Sequence, residues 1–300
     1  MSRQAFWRGV LPAITTPFAA DGTIDHAFLA EHAKQMIAAG CAGMVPLGSL
    51  GEGNALTFDE KLAVLRTLVK ALPDHPVIAG IAALSTAEAV RLAKEAEGIG
   101  CRGLMVLPPY VYVGDPDEMQ AHVSAVIAAT KLPCMLYNNP VAYRTDFLPE
   151  HVAALAGRHA NLEAIKESST DVRRVTAIRA LIDDRLDILV GVDDAIVEGI
   201  AAGAVGWIAG LVNAYPKESV RLFEAARAGR RAEAEAFYRW FLPLLRLDTV
   251  PKFVQLIKLA QQQVGLGSER VRAPRAVLSG AEREAALAII AEAERSKPEV

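Results

Sequence analysis

One lysine lies where proteins rarely place one. Lys166 falls at the far end of an apolar run, residues 162–165, just before the polar run 167–169. Burial at this point would disfavour the charged ammonium, and a neutral lysine amine is a nucleophile towards carbonyl carbon. The alternative interpretation is a strand-end lysine that extends its charged head into water. The residues predicted at the ends of other strands help to decide between these two interpretations.

Tyrosine and serine side chains are predicted at the ends of other strands. Tyr137 lies in the run LPCMLYNNP (132–140), one strand before Lys166. A phenol beside an amine suits imine chemistry, because forming and breaking a carbinolamine requires a proton donor and acceptor within hydrogen-bond distance. Ser49 lies in the loop GSLGEG (48–53), whose spacing fits neither common phosphate-binding motif. A hydroxyl with backbone N–H groups in such a loop suits a carboxylate.

Structural interpretations exist for several polar residues. Tyr137 alone could be a core tyrosine with a satisfied hydroxyl, and Ser49 an ordinary turn serine. Glu52 is predicted to be a charge at the entry of a helix. Asp193 and Asp194 are predicted to be an N-cap followed by a first-turn acid.

The elements that must position these residues follow a regular alternation. Short apolar runs, each followed by a run with helical periodicity, recur at roughly 30-residue spacing. Eight strands are predicted, at residues 9–18, 43–49, 76–82, 103–109, 132–140, 162–169, 186–194 and 206–213. The pattern is typical of an α/β fold, the (β/α)8 TIM barrel, in which active sites lie at the carboxyl ends of the strands. A doubly wound open sheet is the alternative.

The strand pattern stops after Gly229. Residues 231–247, 250–264 and 281–295 instead have helical periodicity with apolar stripes. We therefore predict a catalytic barrel over residues 1–229 and a C-terminal three-helix extension over residues 230–300. An exposed apolar stripe needs a covering surface, so the extension is expected to pack on the barrel or at a subunit interface.

Composition and charge argue against several functional classes. The 300 residues are 52% hydrophobic and 22% charged, with a formal net charge of −3. This composition can bury a large core, but provides no basic stripe for nucleic acid and no polybasic patch for a membrane surface. The N-terminus lacks the apolar segment of a signal peptide, and no apolar run approaches the roughly 18 residues of a transmembrane helix. A cytoplasmic location is predicted.

Cysteine and histidine give no sign of a metal site. Cys41, Cys101 and Cys134 are widely spaced and are expected to be small core residues in a reducing compartment. All six histidines are expected to be solvated, namely His26, His32, His75, His122, His151 and His159.

Taken together, the motifs resemble a known superfamily. PAITTPF (12–18), GSLGE (48–52), YNNP (137–140) and IKESS (165–169) are similar, in this order, to the dihydrodipicolinate synthase and N-acetylneuraminate lyase superfamily. The resemblance spans nearly the whole chain. It implies that Lys166 forms a Schiff base and that Tyr137 relays protons. It also implies that the Ser49 hydroxyl and the Ser49 and Leu50 backbone bind a carboxylate, and that Ile208 lines the pocket through its backbone.

The resemblance also bears on cofactors and assembly. No metal or organic cofactor is expected, because a covalent imine on Lys166 would serve as the electron sink. The substrate is expected to be a small 2-oxo or 2-imino acid, and the assembly a homotetramer built as a dimer of dimers.

Several positions depart from the pattern of members that make dihydrodipicolinate. Those members carry a second hydroxyl residue where this chain has Leu50, and an arginine where it has Ala142. They also carry an adjacent tyrosine pair, one of which is lent to a neighbouring subunit. The remaining candidates, expected to support the site or to be donated by a subunit, are Tyr110, Tyr112, Asn138 and Arg144.

A finer resemblance concerns the substrate. GSLGE, YNNP, GVDD (191–194), GAVGW (203–207) and LDTVPKFVQLIKLA (247–260) together resemble a subgroup that acts on 1-pyrroline-4-hydroxy-2-carboxylate in bacterial hydroxyproline degradation. Members of that subgroup are deaminases that yield 2,5-dioxopentanoate (α-ketoglutarate semialdehyde) and ammonia. The alternatives are an aldolase or dehydratase of 2-keto-3-deoxy sugar acids, a pyruvate condensation like that of dihydrodipicolinate synthase, and a non-catalytic barrel that binds a keto acid.

Overall fold

Seven parallel strands form one sheet in the order β1-β7-β6-β5-β4-β3-β2. The computed structural model describes residues 5–298, so the first four and last two residues of the predicted domain ranges lie outside it. The strands are β1 (Gly9–Pro12), β2 (Ile78–Ile81), β3 (Gly103–Val106), β4 (Cys134–Asn138), β5 (Leu162–Glu167), β6 (Asp187–Val190) and β7 (Gly206–Ala209). The order follows the chain without the reversal of a doubly wound sheet.

An irregular segment connects the two strands at the ends of this order. Ala42 and Val45 donate backbone hydrogen bonds to β1 carbonyls on one side, and Met44 exchanges backbone hydrogen bonds with Pro76 and Ile78 on the other. The predicted second strand, 43–49, thus closes the ring of parallel segments with a single β-bridge, from Met44 to Val77. It is not a regular strand, because a proline at position 46 has no N–H to donate and the next residue has φ of 66°.

Twelve helices alternate with the strands or follow them in the described chain. They are α1 (His26–Ala38), α2 (Phe58–Ala71), α3 (Thr86–Ile99), α4 (Pro116–Ala128), α5 (Pro140–Tyr143), α6 (Pro149–Arg158), α7 (Arg173–Ile182), α8 (Ile196–Ala201), α9 (Pro216–Arg227), α10 (Arg231–Leu245), α11 (Phe253–Gln263) and α12 (Gly280–Arg295). Local sequence starts several of them. Thr57 and Glu60 form a reciprocal capping box at α2, which satisfies two free N–H groups of its first turn.

The last three helices share the apolar core of the rest of the chain. Phe241 in α10 and Ile290 in α12 are buried in the same cluster as the strand residues, and Trp240 Nε1 donates to the Ala293 carbonyl at 3.0 Å. In α11, residues 254–261 are all buried. Since a helix enclosed on every side must satisfy its polar side chains inside the protein, α11 ties the C-terminal part to the barrel through specific partners.

Two histidines differ from the sequence expectation. His32 stacks on Phe28 and its Nε2 lies 3.2 Å from Gln261 Nε2, and His122 Nδ1 lies 2.9 Å from Thr86 Oγ1. Both rings are buried, so the prediction that all six are solvated was wrong for these two. Helix packing offers each ring a polar partner that periodicity does not show.

The three cysteines are free thiols in the core, as predicted. Burial raises the pKa of Cys41 and of Cys101 to about 12. Within residues 5–298, no helix has the length and apolar character needed to cross a bilayer.

Candidate active site

The register of two neighbouring strands places Tyr137 beside Lys166. β4 and β5 are parallel, and Tyr137 is the Cα partner of Lys166. Lys166 is 7% exposed and Tyr137 4% exposed, with Lys166 Nζ 4.1 Å from the centroid of the phenol ring. Among the described residues, Lys166 Nζ has no hydrogen bond and no carboxylate within 4.0 Å. The Lys166 amine therefore lies against the face of the Tyr137 ring and has no hydrogen-bond acceptor in the described chain.

Space for the Lys166 side chain depends on a glycine. A Cβ at position 191 would lie 2.5 Å from Lys166 Cε and 2.0 Å from Ser168 Oγ. Gly191 directly follows β6, the strand next to β5. Any larger residue there would displace the lysine, so the GVDD motif contributes room for the amine.

A cavity of about 680 Å³ opens above Lys166 at the carboxyl ends of the strands. Its lining includes Ser49 and Leu50 on one side and Ile208 on another. Ser49 follows the irregular closing segment, whereas Lys166 lies on β5, across the ring.

Three hydroxyl groups, those of Ser49, Tyr110 and Tyr143, lie together at the cavity. The Ser49 Oγ and Tyr143 OH are in very close hydrogen-bond contact, and both side chains act on Tyr110, whose pKa they lower against the effect of burial. The Tyr143 ring stands edge-on to Tyr110 and to Tyr137, with centroids 5.6 Å apart in each pair. Burial, more than the neighbouring phenols, holds the pKa of Tyr143 well above its usual range, and burial also raises the pKa of Tyr110. These phenols keep their protons at neutral pH.

Sequence reasoning missed Tyr143. It lies in YNNPVAYR, between the motif that carries Tyr137 and the named candidate Arg144. The short helix α5, which begins with Asn139 as N-cap, turns the chain back over the cavity. The N-cap signal Asn-Pro could have shown that a tyrosine three residues further on would return to the site.

The other candidates have different surroundings. Arg144 lines the mouth of the cavity and is exposed. Asn138 is fully buried and faces away from the cavity, donating to Asp146 and Glu167 and accepting from the Phe147 N–H. Tyr112 is 55% exposed and donates to Glu118 of the following helix at 2.8 Å. Within this chain, neither Asn138 nor Tyr112 reaches the cavity.

Glu52 precedes a short 3-10 helix, Gly53–Ala55, as the sequence interpretation has it, but its side chain does not cap that helix. Its side chain is completely buried, and Oε1 lies 2.5 Å from Lys258 Nζ. Oε2 accepts from the Arg272 N–H at 3.0 Å. Glu52 itself has φ of 52°, an unusual backbone conformation for a non-glycine residue. The buried pair fixes this conformation and thereby holds the loop that carries Ser49.

Asp193 was interpreted wrongly as an N-cap. Its fully buried carboxylate accepts from Trp207 Nε1 at 2.9 Å and from the Gly210 and Leu211 N–H groups at 3.1 and 2.7 Å. These bonds fasten the end of β7, close to Ile208. Burial raises the pKa of Asp193 to about 6, and the hydrogen bonds oppose that shift.

A second carboxyl lies beside Asp193, and sequence reasoning did not single it out. Asp248 ends a 3-10 turn, Arg246–Asp248, and lines the cavity. Its Oδ1 is shielded from solvent and has no hydrogen-bond partner among residues 5–298. Burial, then the neighbouring Asp193, hold the pKa of Asp248 well above its usual range, whereas Lys166 opposes the shift.

No group of three or more His, Cys, Asp or Glu residues in the described chain has an arrangement that could hold a metal ion. The described site offers an amine, several phenols, a serine hydroxyl and two carboxyls.

Comparison with known proteins gives consistent matches over the whole chain. Residues 6–293 match the profile of the Dihydrodipicolinate synthetase family. The chain is 33% identical to the 4-hydroxy-tetrahydrodipicolinate synthase of Geotalea daltonii over 291 residues, 95% of this chain and 98% of that protein. It is 33% identical to the enzyme of the same name from Natronomonas pharaonis over 288 residues, 96% and 98% of the two chains.

Solved structures agree with these relatives. The 4-hydroxy-tetrahydrodipicolinate synthase of Methylacidiphilum fumariolicum SolV superposes with a TM-score of 0.92 at 29% identity, covering 96% of each chain. A prophage protein of E. coli K12, solved in complex with pyruvate, gives a TM-score of 0.90 at 26% identity and covers 97% of this chain and 99% of its own.

Proposed function

The chain belongs to the dihydrodipicolinate synthetase family, and on that premise we propose that it is a lysine Schiff-base lyase that deaminates 1-pyrroline-4-hydroxy-2-carboxylate. The products are 2,5-dioxopentanoate and ammonia. The observation that carries the proposal is the pairing of Lys166 with Tyr137, in register on neighbouring strands, with an amine that has no acceptor among the described residues.

Lys166 begins the reaction by attacking C2 of the ring imine. The bond from C2 to the ring nitrogen breaks, the ring opens, and the C5 carbon retains a free amine. Proton transfers at C2 and at the departing nitrogen require a donor and acceptor within hydrogen-bond distance. We assign this role to Tyr137, whose ring packs against Lys166 Nζ with the centroid 4.1 Å away and whose hydroxyl accepts from Asn139 Nδ2 at 3.0 Å.

The substrate carboxylate is bound in the cavity at Ser49 and the Leu50 backbone. The Ser49 hydroxyl is held by Tyr143, and when the Tyr143 phenol is the donor, the Ser49 proton is available to an anion. Fixing C1 there and C2 at Lys166 leaves C3, C4 and C5 in the remaining part of the cavity. This arrangement favours a short acid with one carboxylate.

The protonated imine on Lys166 then acts as an electron sink. It acidifies the hydrogens on C3, so that a proton can leave and the C4 hydroxyl can depart as water. Migration of the double bond towards C5 converts the C5 amine into an imine. Water hydrolyses both imines, which releases ammonia, 2,5-dioxopentanoate and the free lysine.

A second candidate function follows from the relatives. The similar proteins from Geotalea daltonii and Natronomonas pharaonis are named 4-hydroxy-tetrahydrodipicolinate synthase, so condensation of pyruvate with an aldehyde is the competing activity. Leu50 argues against it. This side chain is apolar and 3% exposed, so it cannot relay a proton beside Ser49.

Association between copies is part of the proposal. Val111 and Tyr112 are 85% and 55% exposed, and Val141, which lines the same cavity as Val111, is 70% exposed. Apolar side chains in this number near a cavity mouth are typical of a surface that another chain covers. The proposed assembly is a homotetramer.

Borohydride reduction tests the proposed function directly. The protein is incubated with 1-pyrroline-4-hydroxy-2-carboxylate, reduced, digested and examined by mass spectrometry, while ammonia is measured without reduction. The expected result is a substrate-derived adduct on Lys166 together with ammonia release. In parallel, pyruvate alone and pyruvate with aspartate semialdehyde are supplied. A pyruvate adduct, consumption of the aldehyde and no ammonia from the pyrroline would instead establish the condensing activity.

A further inference from the structure

The cavity contains one buried polar group that the mechanism above does not use. Asp248 lines the wall next to β7, on the side opposite the phenols of Tyr110 and Tyr143. Its Oδ1 is inaccessible to solvent and has no hydrogen-bond partner in the described chain. An unpartnered buried carboxyl oxygen costs stability, so its retention at the cavity calls for a functional explanation.

The position of the Asp248 carboxyl is built into the backbone. It packs directly on Gly210, where a Cβ would lie 2.2 Å from Oδ1 and 2.6 Å from Oδ2. The Gly210 N–H is itself held by Asp193 at 3.1 Å. A glycine and a buried acceptor thus fix the surface against which Asp248 rests.

The neighbouring carboxyl determines which of the two carries a proton. Asp193 accepts hydrogen bonds from three N–H groups, and such bonds favour the charged form of a carboxylate. Asp248 has none, and the charge on Asp193 raises the pKa of Asp248 further. The other charged groups that face Asp248 are Lys166 and Asp194. At neutral pH, Asp193 is therefore ionised and Asp248 protonated, a division of roles that acid–base catalysis uses.

From this geometry we infer that Asp248 is the catalytic acid that donates a proton to the hydroxyl leaving from the β-elimination of a 4-hydroxy substrate held on Lys166. The inference rests on the proposed function and deepens it. With C1 at Ser49 and C2 on Lys166, the carboxylate site and the phenols occupy other sides of the cavity. C4 is therefore left at the wall that Asp248 lines.

The step balances in atoms and electrons. Loss of a C3 proton converts the Lys166 iminium into an enamine. The enamine electron pair forms the C3–C4 bond's second component as the C4–O bond breaks. The oxygen keeps the electron pair of the broken C4–O bond, takes the Asp248 proton and departs as water. The nitrogen is left as a conjugated iminium and Asp248 as a carboxylate, which regains a proton during the later hydrolysis.

The test uses Asp248→Asn, with Asp194→Asn as a matched control. Asp194 is a half-buried carboxyl whose charge acts on Asp248. It is paired with Arg246 at 3.5 Å and does not line the cavity. We expect Asp248→Asn to lower kcat for ammonia release at least about 100-fold, the contribution typical of a general acid. Adduct formation with pyruvate at Lys166 should persist. Asp194→Asn should release ammonia at the wild-type rate.

The mass of the trapped intermediate separates a chemical role from a structural one. With the pyrroline substrate, borohydride should trap on Asp248→Asn an adduct that retains the hydroxyl and is one water heavier than the dehydrated adduct of the wild type. Normal kcat, or the dehydrated adduct on the variant, would overturn the inference. Asp248→Ala gives a second measurement, in which added formate should restore ammonia release in a saturable manner. If formate has no effect on a folded variant that still traps pyruvate, the inference is also wrong.

Wild-type controls keep this result distinct from that of the proposed function. If the wild type releases no ammonia from the pyrroline, the proposed function fails, and the role of Asp248 falls with it. If the wild type releases ammonia and Asp248→Asn does so equally well, the proposed function stands and only the role of Asp248 is rejected.

Discussion

Two of the buried lysines, Lys166 and Lys258, each follow an isoleucine in the sequence but have opposite surroundings. Lys258, on α11, donates to the Thr16 carbonyl at 2.8 Å, the Glu52 carboxylate at 2.5 Å and the Arg270 carbonyl at 2.8 Å. Lys166, at the end of β5, has none of these acceptors and faces a cavity. An ammonium has three N–H donors, so Lys258 is fully satisfied and Lys166 is free.

The difference shows that burial alone does not identify a reactive lysine. Burial lowers the pKa of Lys258, and the Glu52 carboxylate opposes that shift. Its amine is nevertheless enclosed by acceptors and has no access to the cavity. Reactivity requires desolvation, an open approach and an uncommitted amine together.

The largest expected effect is on chemistry at Lys166. Lys166→Ala should lower turnover at least about 10,000-fold, in line with the loss of a covalent nucleophile, and should abolish borohydride trapping. The melting temperature should change little, because no hydrogen bond or ion pair of the described chain is lost. Lys166→Arg is the matched control that keeps the charge without imine chemistry. Normal turnover by either variant would refute the Schiff-base mechanism.

Lys258 should show the converse behaviour. Lys258→Met leaves the Glu52 carboxylate buried without its ammonium, and breaking one side of a buried pair costs about 3–5 kcal/mol. Urea denaturation should therefore give a lower free energy of unfolding, while folded protein still traps pyruvate at Lys166. Adding Glu52→Gln should recover part of the loss. Lys252→Met removes an exposed pair with Glu282 and should cost at most about 1 kcal/mol; an equal loss there would contradict the argument.

The contrast also indicates what sequence could predict. The alternation of strands and helices and the strand-end positions of Tyr137 and Lys166 follow from local patterns of residues. The partners of Lys258 do not, because Glu52 and Lys258 are 206 positions apart and only the closed ring brings them together. The same holds for Asp193, whose partners depend on how β6 and β7 pair.

The site itself was predictable in the same measure. Ser49, Tyr137 and Lys166 each belong to a motif with a recognisable chemistry. Tyr143 and Asp248 have weaker signals, because neither the Asn-Pro N-cap before Tyr143 nor the motif LDTVPKFVQLIKLA, which contains Asp248, marks these side chains for a chemical role. Their roles arise from where α5 and the C-terminal chain cross the cavity. The apolar run 43–49 likewise predicted a regular strand, whereas the structure has a single β-bridge there and a positive φ at Leu47.

A smaller effect is expected from His32, whose ring contacts Gln261 of α11, the helix that also carries Lys258. Burial lowers the pKa of His32 from 6.5 to about 4. Between these pH values the unfolded chain binds a proton that the folded chain does not, so the free energy of unfolding decreases as the pH falls through this window. The shift corresponds to about 3 kcal/mol. Equilibrium urea denaturation between pH 7 and pH 4 measures it.

His32→Leu should be less dependent on pH over that range than the wild type, because it removes the titrating group. His75→Ala, at a half-exposed position, is the matched control and should keep the wild-type slope. Asp193 titrates in the opposite sense, since burial raises its pKa to about 6 and its protonation at lower pH favours the folded state. The difference between wild type and His32→Leu isolates the histidine. Parallel curves would show that His32 contributes nothing.

The smallest effect should come from the hydroxyls that lie at the cavity beside Ser49. Tyr143→Phe removes the partner that orients the Ser49 hydroxyl and leaves the ring packing against Tyr110 and Tyr137. One hydrogen bond of this kind is worth about 1 kcal/mol, so kcat/KM should fall roughly 5–10-fold. The loss should appear mainly in KM if Ser49 binds the carboxylate in the ground state as well as the transition state. Tyr112→Phe, which removes only an exposed bond to Glu118, should leave kcat/KM unchanged. If Tyr143→Phe also left kcat/KM unchanged while Ser49→Ala lowered it, Ser49 would bind the substrate without needing Tyr143. The carboxylate site would then be as independent of neighbouring side chains as the amine of Lys166.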